Sequence, residues 1–308
     1  MLNKGITVLN FDNSVIQQQQ LFSQYPARVI DLTGLSSLAR HYMPAVVRGQ
    51  VQQLIPQENK YPVFIGSGDF HHVSEILTSR IKEPFCLIVF DFHPDWDSLP
   101  PRFGCGSWVS ASLKNKNILK CVLIGAGSDD LNTGALQAAN LEALAGDRLE
   151  IYPYRHKPSR VYFRRVAQNY SLNMRKDFFS SKISWRQLAN EDLEKFTLEL
   201  ISRLPTPRVY ISIDKDCLKK DFALTNWEEG LLRLEQLLIM LKLLRDNLDI
   251  LGLDVVGDYS PVGDLKGMKG MISRIDHPQQ FTGSHCAEEL IRQVNARSNL
   301  AILNELFR

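Results

Sequence analysis

Short apolar runs recur along the chain, each closing on polar or glycine-rich residues. They are Ile6–Phe11, Ala27–Leu32, Val63–Ile65, Cys86–Phe90, Cys121–Ile124, Leu149–Tyr152, Val209–Ile213 and Ile250–Val256. The runs do not alternate with polar positions. A strand that is apolar at every position is buried on both faces, as strands of a parallel sheet are. Between the runs, Val73–Ile81, Leu136–Leu144, Asp192–Leu204 and Leu231–Asn247 carry apolar residues at three- and four-residue spacing, the mark of a helix with one buried face. A further helix is expected over Ala287–Leu306. This alternation of strand and helix predicts an open α/β sheet with helices on both sides.

The length of 308 residues admits one large domain or two small ones. The same rhythm runs from end to end, so a single domain over 1–308 is expected. A hydrophobic content of 44% with 23% charged residues excludes a disordered, collagenous or coiled-coil chain. Lys+Arg total 36 against Asp+Glu 34, a balance that offers no whole-protein reason to bind nucleic acid or an anionic membrane. The five cysteines are widely spaced and form no CxxC pair, which fits a reducing cytoplasm better than a disulfide scaffold. No signal peptide or membrane span is expected, because Asp12 and Lys242 interrupt the apolar segments concerned. One stretch departs from the balance: 155–186 holds ten Lys, Arg or His residues against the single acid Asp177, interleaved with six aromatic residues. It reads as an ordered basic insertion, a solvated lid or an oligomer contact; the same composition also suits phosphate or single-stranded nucleic acid.

Chemistry concentrates where three runs end. Val63–Ile65 leads into GSGDFHH (66–72), Cys86–Phe90 into DFHPDWD (91–97) and Val209–Ile213 into DKD (214–216). Ligands of open α/β sheets bind beyond the carboxyl ends of the strands. If the chain stays extended there, alternate residues share a side, grouping Asp91 with His93 and Asp95, and Asp214 with Asp216. Four carboxylates crowded together repel unless protons or cations intervene. Two divalent ions would balance them, and mixed carboxylate and imidazole donors suit Mn, Zn or Fe(II). Two ions about 3.5–4 Å apart can bridge and activate a water.

IGSGDFHH, DFHPDWD and SIDKD resemble, in order and spacing, the GGDHS, DAHxD and SxDxD metal motifs of the arginase/agmatinase/formimidoylglutamase (ureohydrolase) superfamily. GLDVVGDYSP (252–261) is similar to a fourth family segment, GxDxxExxP. The resemblance implies a three-layer α/β/α fold around a central, mostly parallel sheet of about eight strands. It implies a binuclear hydrolase of non-peptide C–N bonds, acting on guanidino, amidino or formimino compounds through a metal-bridging hydroxide. Carried over by position, Asp91 and Asp214 bridge two ions, manganese first with zinc or iron as alternatives. Asp95 and His71 complete one site; His93 and Asp216 complete the other. The family often forms trimers or hexamers, which makes a homo-oligomer possible.

The departures from the family pattern shape the substrate. Phe70 stands where the family has its first histidine, so His71 must reach the metal through a one-residue slip; His72, or neither, is the alternative. His72 is otherwise a candidate catalytic residue. The loop Ser98–Ser112 contains no histidine to shuttle protons, though it contains Trp108, a candidate substrate contact. The family glutamate that holds a guanidinium falls on Asp258 or on Gly257, depending on the direction of counting, and Asp258 is taken as the catalytic candidate. Asn226, Trp227 and Glu228 are expected to line a pocket of altered shape; equally, Glu228 and Glu229 could favour the first turn of the next helix. These differences point away from arginine as substrate. Two other readings stay open: a mononuclear zinc amidohydrolase using Asp91, His93 and one of Asp214 and Asp216, and a non-catalytic binding protein using the basic insertion. A small-molecule substrate is expected, without membrane or nucleic-acid partners. His277 and His285 are expected to be surface or loop histidines, and Gly125–Ser128 a tight turn.

Overall fold

The computed structural model describes residues 2–57, 60–100, 103–164, 166–261, 265, 267–276 and 287–308. Eight strands form one sheet: β1 (Ile6–Asn10), β2 (Ala27–Asp31), β3 (Val63–Gly66), β4 (Phe85–Phe90), β5 (Ile118–Ile124), β6 (Leu149–Tyr152), β10 (Arg208–Asp214) and β11 (Asp249–Val256). Their order is β2-β1-β3-β11-β10-β4-β5-β6, and every neighbouring pair is parallel. Each apolar run of the sequence is one of these strands, but β2 is an edge strand and largely exposed, not buried on both faces as expected.

Alternation along β4 shows how the layers are built. Phe85, Leu87 and Val89 enter one hydrophobic core, while Cys86, Ile88 and Phe90 enter the other. The first core is closed by α3 (Ala45–Leu54), α4 (Val73–Thr78) and α5 (Trp108–Ser112), through residues such as Val51, Ile76 and Val109. The second is closed by α1 (Gln19–Gln24), α7 (Leu193–Arg203), α8 (Leu234–Asn247) and α10 (Glu288–Leu306), through Leu21, Phe196, Leu241 and Leu303. This is the expected three-layer α/β/α architecture. The helices α2 (Ser36–Ala39), α6 (Leu141–Ala145) and α9 (Gly267–Asp276) also lie among the described residues.

Two helix expectations need correction. The helix expected over Leu136–Leu144 is broken: Ala135–Gln137 makes one tight turn, then the Asn140 side chain accepts from Ala143 N at 3.2 Å and starts α6 afresh. An asparagine that caps backbone amides this way begins a helix rather than continuing one. The helix expected from Leu231 begins at Leu234, because Leu232 is drawn into a parallel bridge with Leu218. The basic stretch is ordered, in keeping with the first of its readings: β7 (Ser159–Tyr162), β9 (Ser180–Trp185) and β8 (Leu172–Lys176) form a separate antiparallel sheet. Its inner residues Val161, Leu172, Ile183 and Trp185 join the first core.

Candidate metal centre

The sheet's register brings the acidic motifs side by side. Phe90 of β4 pairs with Ile213 of β10, so the next residues, Asp91 and Asp214, leave adjacent strand ends at one level. Both strands stop there, and extended alternation does not carry on. Lys215–Cys217 winds into a tight turn capped by Asp214, whose Oδ1 accepts from Asp216 N at 3.0 Å. The turn still delivers both carboxylates to the site, while Lys215 points the other way. Asp95 likewise arrives by a bend: its φ is +46°, a left-handed conformation that aspartate tolerates better than most residues.

The slip at the first motif has a local cause. Ser67 Oγ accepts from Asp69 N at 3.3 Å and opens a single turn over Gly68–Phe70. Phe70 is buried and stacks on Phe11, ring centroids 4.6 Å apart. The turn's next residue, His71, therefore faces the carboxylates. His71 Nδ1 lies 3.1 Å from Asp91, 3.4 Å from Asp95 and 3.5 Å from Asp214. On the other side of Asp91, His93 Nδ1 is 2.8 Å from Asp216 Oδ2 and 3.9 Å from Asp91 Oδ1. Potential ligand atoms thus form two groups, His71–Asp91–Asp214 and Asp91–His93–Asp216, each within 4.8 Å, with Asp91 in both.

Electrostatics match a site built for cations. Burial, then the neighbouring Asp95 and Asp216, pushes Asp91 well above the usual carboxylate range. Burial and then Asp216 push Asp214 up to about 7. Asp95 is raised well above its ordinary value by burial, against the pull of His93 and with added repulsion from Asp214 and Asp216. Burial alone would lower His71, but Asp91, Asp214 and Asp254 override it and raise the imidazole to about 9. Protons thus do in this arrangement what divalent cations would do better. His71 Nδ1 and Asp91 Oδ2 are buried and make no hydrogen bond, so the donor set fits a metal ion.

Buried groups hold these side chains from behind. His71 Nε2 is 2.9 Å from Ser212 Oγ, which donates to Asp254 Oδ1 at 2.8 Å; Ser74 Oγ donates to the same oxygen at 2.9 Å. A carboxylate reached through a hydroxyl fixes the imidazole tautomer with Nδ1 facing forward. Trp108 Nε1 donates to Asp95 Oδ2 at 2.6 Å, and its ring lies 4.6 Å from that of His71. Two glycines close around Asp214. A Cβ on Gly68 would sit 2.7 Å from its Oδ2, and one on Gly257 2.4 Å from its Oδ1.

Several expected site residues stand elsewhere. Trp108 is wholly buried behind Asp95 and presents no face to a substrate. His72 turns away from the carboxylates into a small space lined by Met43, Arg48, Ile76, Phe103 and Trp108, and burial drives its pKa down to about 3. It holds no position for ligation or proton transfer at the centre. Asp258 accepts from Lys215 Nζ at 2.8 Å and Gln18 Nε2 at 2.6 Å in a fully buried pair, so it is not offered to a substrate cation. Gly257, the other alignment of the family glutamate, serves instead the close approach to Asp214. Asn226 is a clamp: it donates to Ser260 O at 2.6 Å and accepts from Ser260 N at 2.8 Å. Trp227 and Glu228 do lie at the centre. The Trp227 ring is 5.2 Å from that of His93, and Glu228 Oε2 is 3.0 Å from His93 Nε2. Glu228 belongs to a loop, not to the first turn of α8. His277 and His285 lie outside the described residues. Gly125–Ser128 bends without closing a turn of its own: Gly127 N donates instead to Phe92 O at 3.0 Å, beyond the end of β4.

Other residues of the centre escaped the sequence reading. Arg40 bridges Asp69 and Ser260 from a buried position, and His41 Nδ1 lies 3.6 Å from Asp69. Their segment carries no motif. Ser212 and Asp254 had a detectable signal, since they sit inside two of the motif segments and are register partners across β10 and β11.

Fold and site together define a class: a parallel α/β/α protein with carboxylate and imidazole clusters at its strand ends, the framework of metal-dependent hydrolases of non-peptide C–N bonds. A model of the arginase family matches residues 14–271, and the chain belongs to that family. An uncharacterized protein of Thermotoga maritima is 27% identical over 273 residues, covering 85% of this chain and 83% of its own. Among solved structures, an arginase from Bacillus cereus superposes with a TM-score of 0.57 at 13% identity, covering 99% of this chain and 98% of its own. A hypothetical agmatinase from Burkholderia thailandensis gives 0.57 at 14% identity, with coverage of 99% and 86%. A proclavaminate amidino hydrolase from Streptomyces clavuligerus gives 0.52 at 14% identity, with coverage of 97% and 94%.

Proposed function

We propose that the protein is a binuclear metal hydrolase of a non-peptide C–N bond, acting on an amidino, guanidino or formimino compound other than arginine. The observation that carries this reading is the sharing of Asp91 between two ligand groups. His71, Asp95 and Asp214 would hold one ion with Asp91; His93 and Asp216 would hold the other, with manganese as the first choice. Bound there, the ions would supply an activated water at neutral pH. The chain's own part is positional: Ser212 and Asp254 orient His71, Trp108 orients Asp95, and Trp227 with Glu228 borders the exposed side near His93.

Departure from arginine is supported by Asp258. Its carboxylate is already matched by the Lys215 ammonium, so no free anion stands at that position to hold a substrate guanidinium. A mononuclear zinc centre would suit a chain with no histidine at the first motif, but the turn at Gly68–Phe70 brings His71 toward the carboxylates, which supports the two-ion reading.

The deciding experiment is metal content per chain after loading with manganese or zinc, for wild type and Asp91→Ala. Two ions in wild type and one or none in the variant, with hydrolysis of formimino or amidino compounds lost in parallel, is the expected result. An Asp91→Ala protein that keeps two ions would overturn the proposal.

A further inference from the structure

The small sheet of β7, β9 and β8 carries a surface feature unrelated to the metal centre. Three phenylalanines gather at its apex: Phe178 is 92% exposed, Phe163 86% and Phe179 63%. Phe178 and Phe179 form the tip of the β8–β9 hairpin, closed by Asp177 N donating to Ser180 O at 2.9 Å, and Phe163 N donates to Phe179 O at 3.3 Å. Their rings touch one another, at centroid separations of 4.6 and 6.2 Å. Exposing this much contiguous aromatic surface is costly in water. Below the apex, Arg160 and Arg175 both lie directly opposite Lys182 across the sheet, a row of three like charges on neighbouring strands. Like charges so placed destabilise a sheet. The one acid of the segment, Asp177, is taken by Arg160 at 2.6 Å, and Arg175, Lys176 and Lys182 have no ion-pair partner among the described residues. The row therefore calls for an external anion.

The shape selects among anionic partners. A second copy docked face to face would bring the cation rows together. A single-stranded nucleic acid needs separate ring faces on which bases stack, whereas Phe178 and Phe179 meet edge to face at 85°. A convex aromatic wedge above a cationic collar fits a deformable anionic interface, rings at the level of the acyl boundary and cations among the headgroups. We propose that this apex is a peripheral docking surface for an anionic lipid bilayer. No helix among the described residues is long and apolar enough to cross a membrane.

The test is sedimentation of the full chain with phosphatidylcholine vesicles, with and without phosphatidylserine. Wild type is expected to sediment with the anionic vesicles alone, less so as salt rises. The Phe178→Ala/Phe179→Ala protein should bind about tenfold more weakly or worse, with an unchanged Tm because both rings are exposed. Arg175→Gln/Lys182→Gln should also weaken binding while leaving or raising Tm. Failure of wild type to sediment with anionic vesicles would overturn the proposal. So would undiminished binding by the phenylalanine variant. Phenylalanine-dependent binding of oligouridylate without vesicle binding would assign the apex to nucleic acid instead, and a wild-type oligomer that dissociates in the phenylalanine variant would assign it to a second copy.

Discussion

At the scale of single residues, the centre depends on donors that never touch an ion. Ser212 joins His71 to Asp254 through hydrogen bonds of 2.9 and 2.8 Å, all in the interior. Removing an outer partner of a metal ligand typically costs about 10–100-fold in affinity. Ser212→Ala is therefore expected to weaken metal binding within that range while leaving stoichiometry at two, measured by competition with a fluorescent chelator. Trp108→Phe keeps an aromatic ring beside His71, though a smaller one, but deletes the N–H bond to Asp95. Hydrogen bonds to charged groups contribute about 1.5–3 kcal/mol. In the proposed two-ion centre, the ion held by Asp95 should then bind about tenfold or more weakly than in wild type; unchanged affinity would show that Asp95 needs no such support. These residues also mark the limit of the sequence. Ligand types were legible because DFHPDWD and DKD place acids and imidazoles at strand ends. Partners such as Trp108, Arg40 and Lys215 were not, because their roles arise from contacts between distant segments. His72 and Asp258 misled for the same reason: residue type and spacing do not say which way a side chain turns once a strand has ended.

At the scale of elements, the strands of the main sheet were legible; the small sheet of β7, β8 and β9 and the interruptions of the helices were not. A run such as FCLIVF, buried at every position, has no other stable setting than the middle of a parallel sheet. The break at Asn140 and the late start of α8 depend on a single cap and a single bridge, which periodicity does not record. The same sensitivity governs the turn after β10. Lys215 and Asp258, both fully buried, tie this turn to the segment after β11, and Gln18 and Asn299 bring in the chain before α1 and the middle of α10. Breaking a buried pair from one side typically costs about 3–5 kcal/mol. Lys215→Met should lower stability by about that amount in urea unfolding, and Lys215→Met/Asp258→Leu should recover most of it. If the single and double variants were equally unstable, the pair would not be the link between these elements.

At the scale of the whole molecule, the gathered charges set how stability depends on pH. In the metal-free protein Asp214 titrates at about 7 instead of its ordinary 3.8, and His71 at about 9 instead of 6.5. Both hold protons in the folded state that the unfolded chain has released. Each of these two groups therefore lowers stability as pH rises, Asp214 between about 4 and 7 and His71 between about 6.5 and 9, while His72, lowered to about 3, acts in the opposite sense between about 3 and 6.5. Divalent ions displace those protons, so the stabilisation they add should grow over the same interval. Thermal unfolding across pH, with chelator and with manganese, checks both slopes. A chelated protein that is most stable at alkaline pH would contradict the charge assignment.

The two ligand groups also differ in depth, and this bears on exchange. The His71 side chain is 1% exposed, behind Trp108 and Ser212, whereas that of His93 is 14% exposed and meets solvent beside Glu228. Ions seated there would form a queue, not a pair of equals: the inner one could leave only after the outer one, across a carboxylate they share. Stripping by chelator should then proceed in two phases. The fast phase would empty the His93 seat and the slow one the His71 seat, so that brief dialysis yields a half-loaded protein whose remaining ion is the deeper of the two.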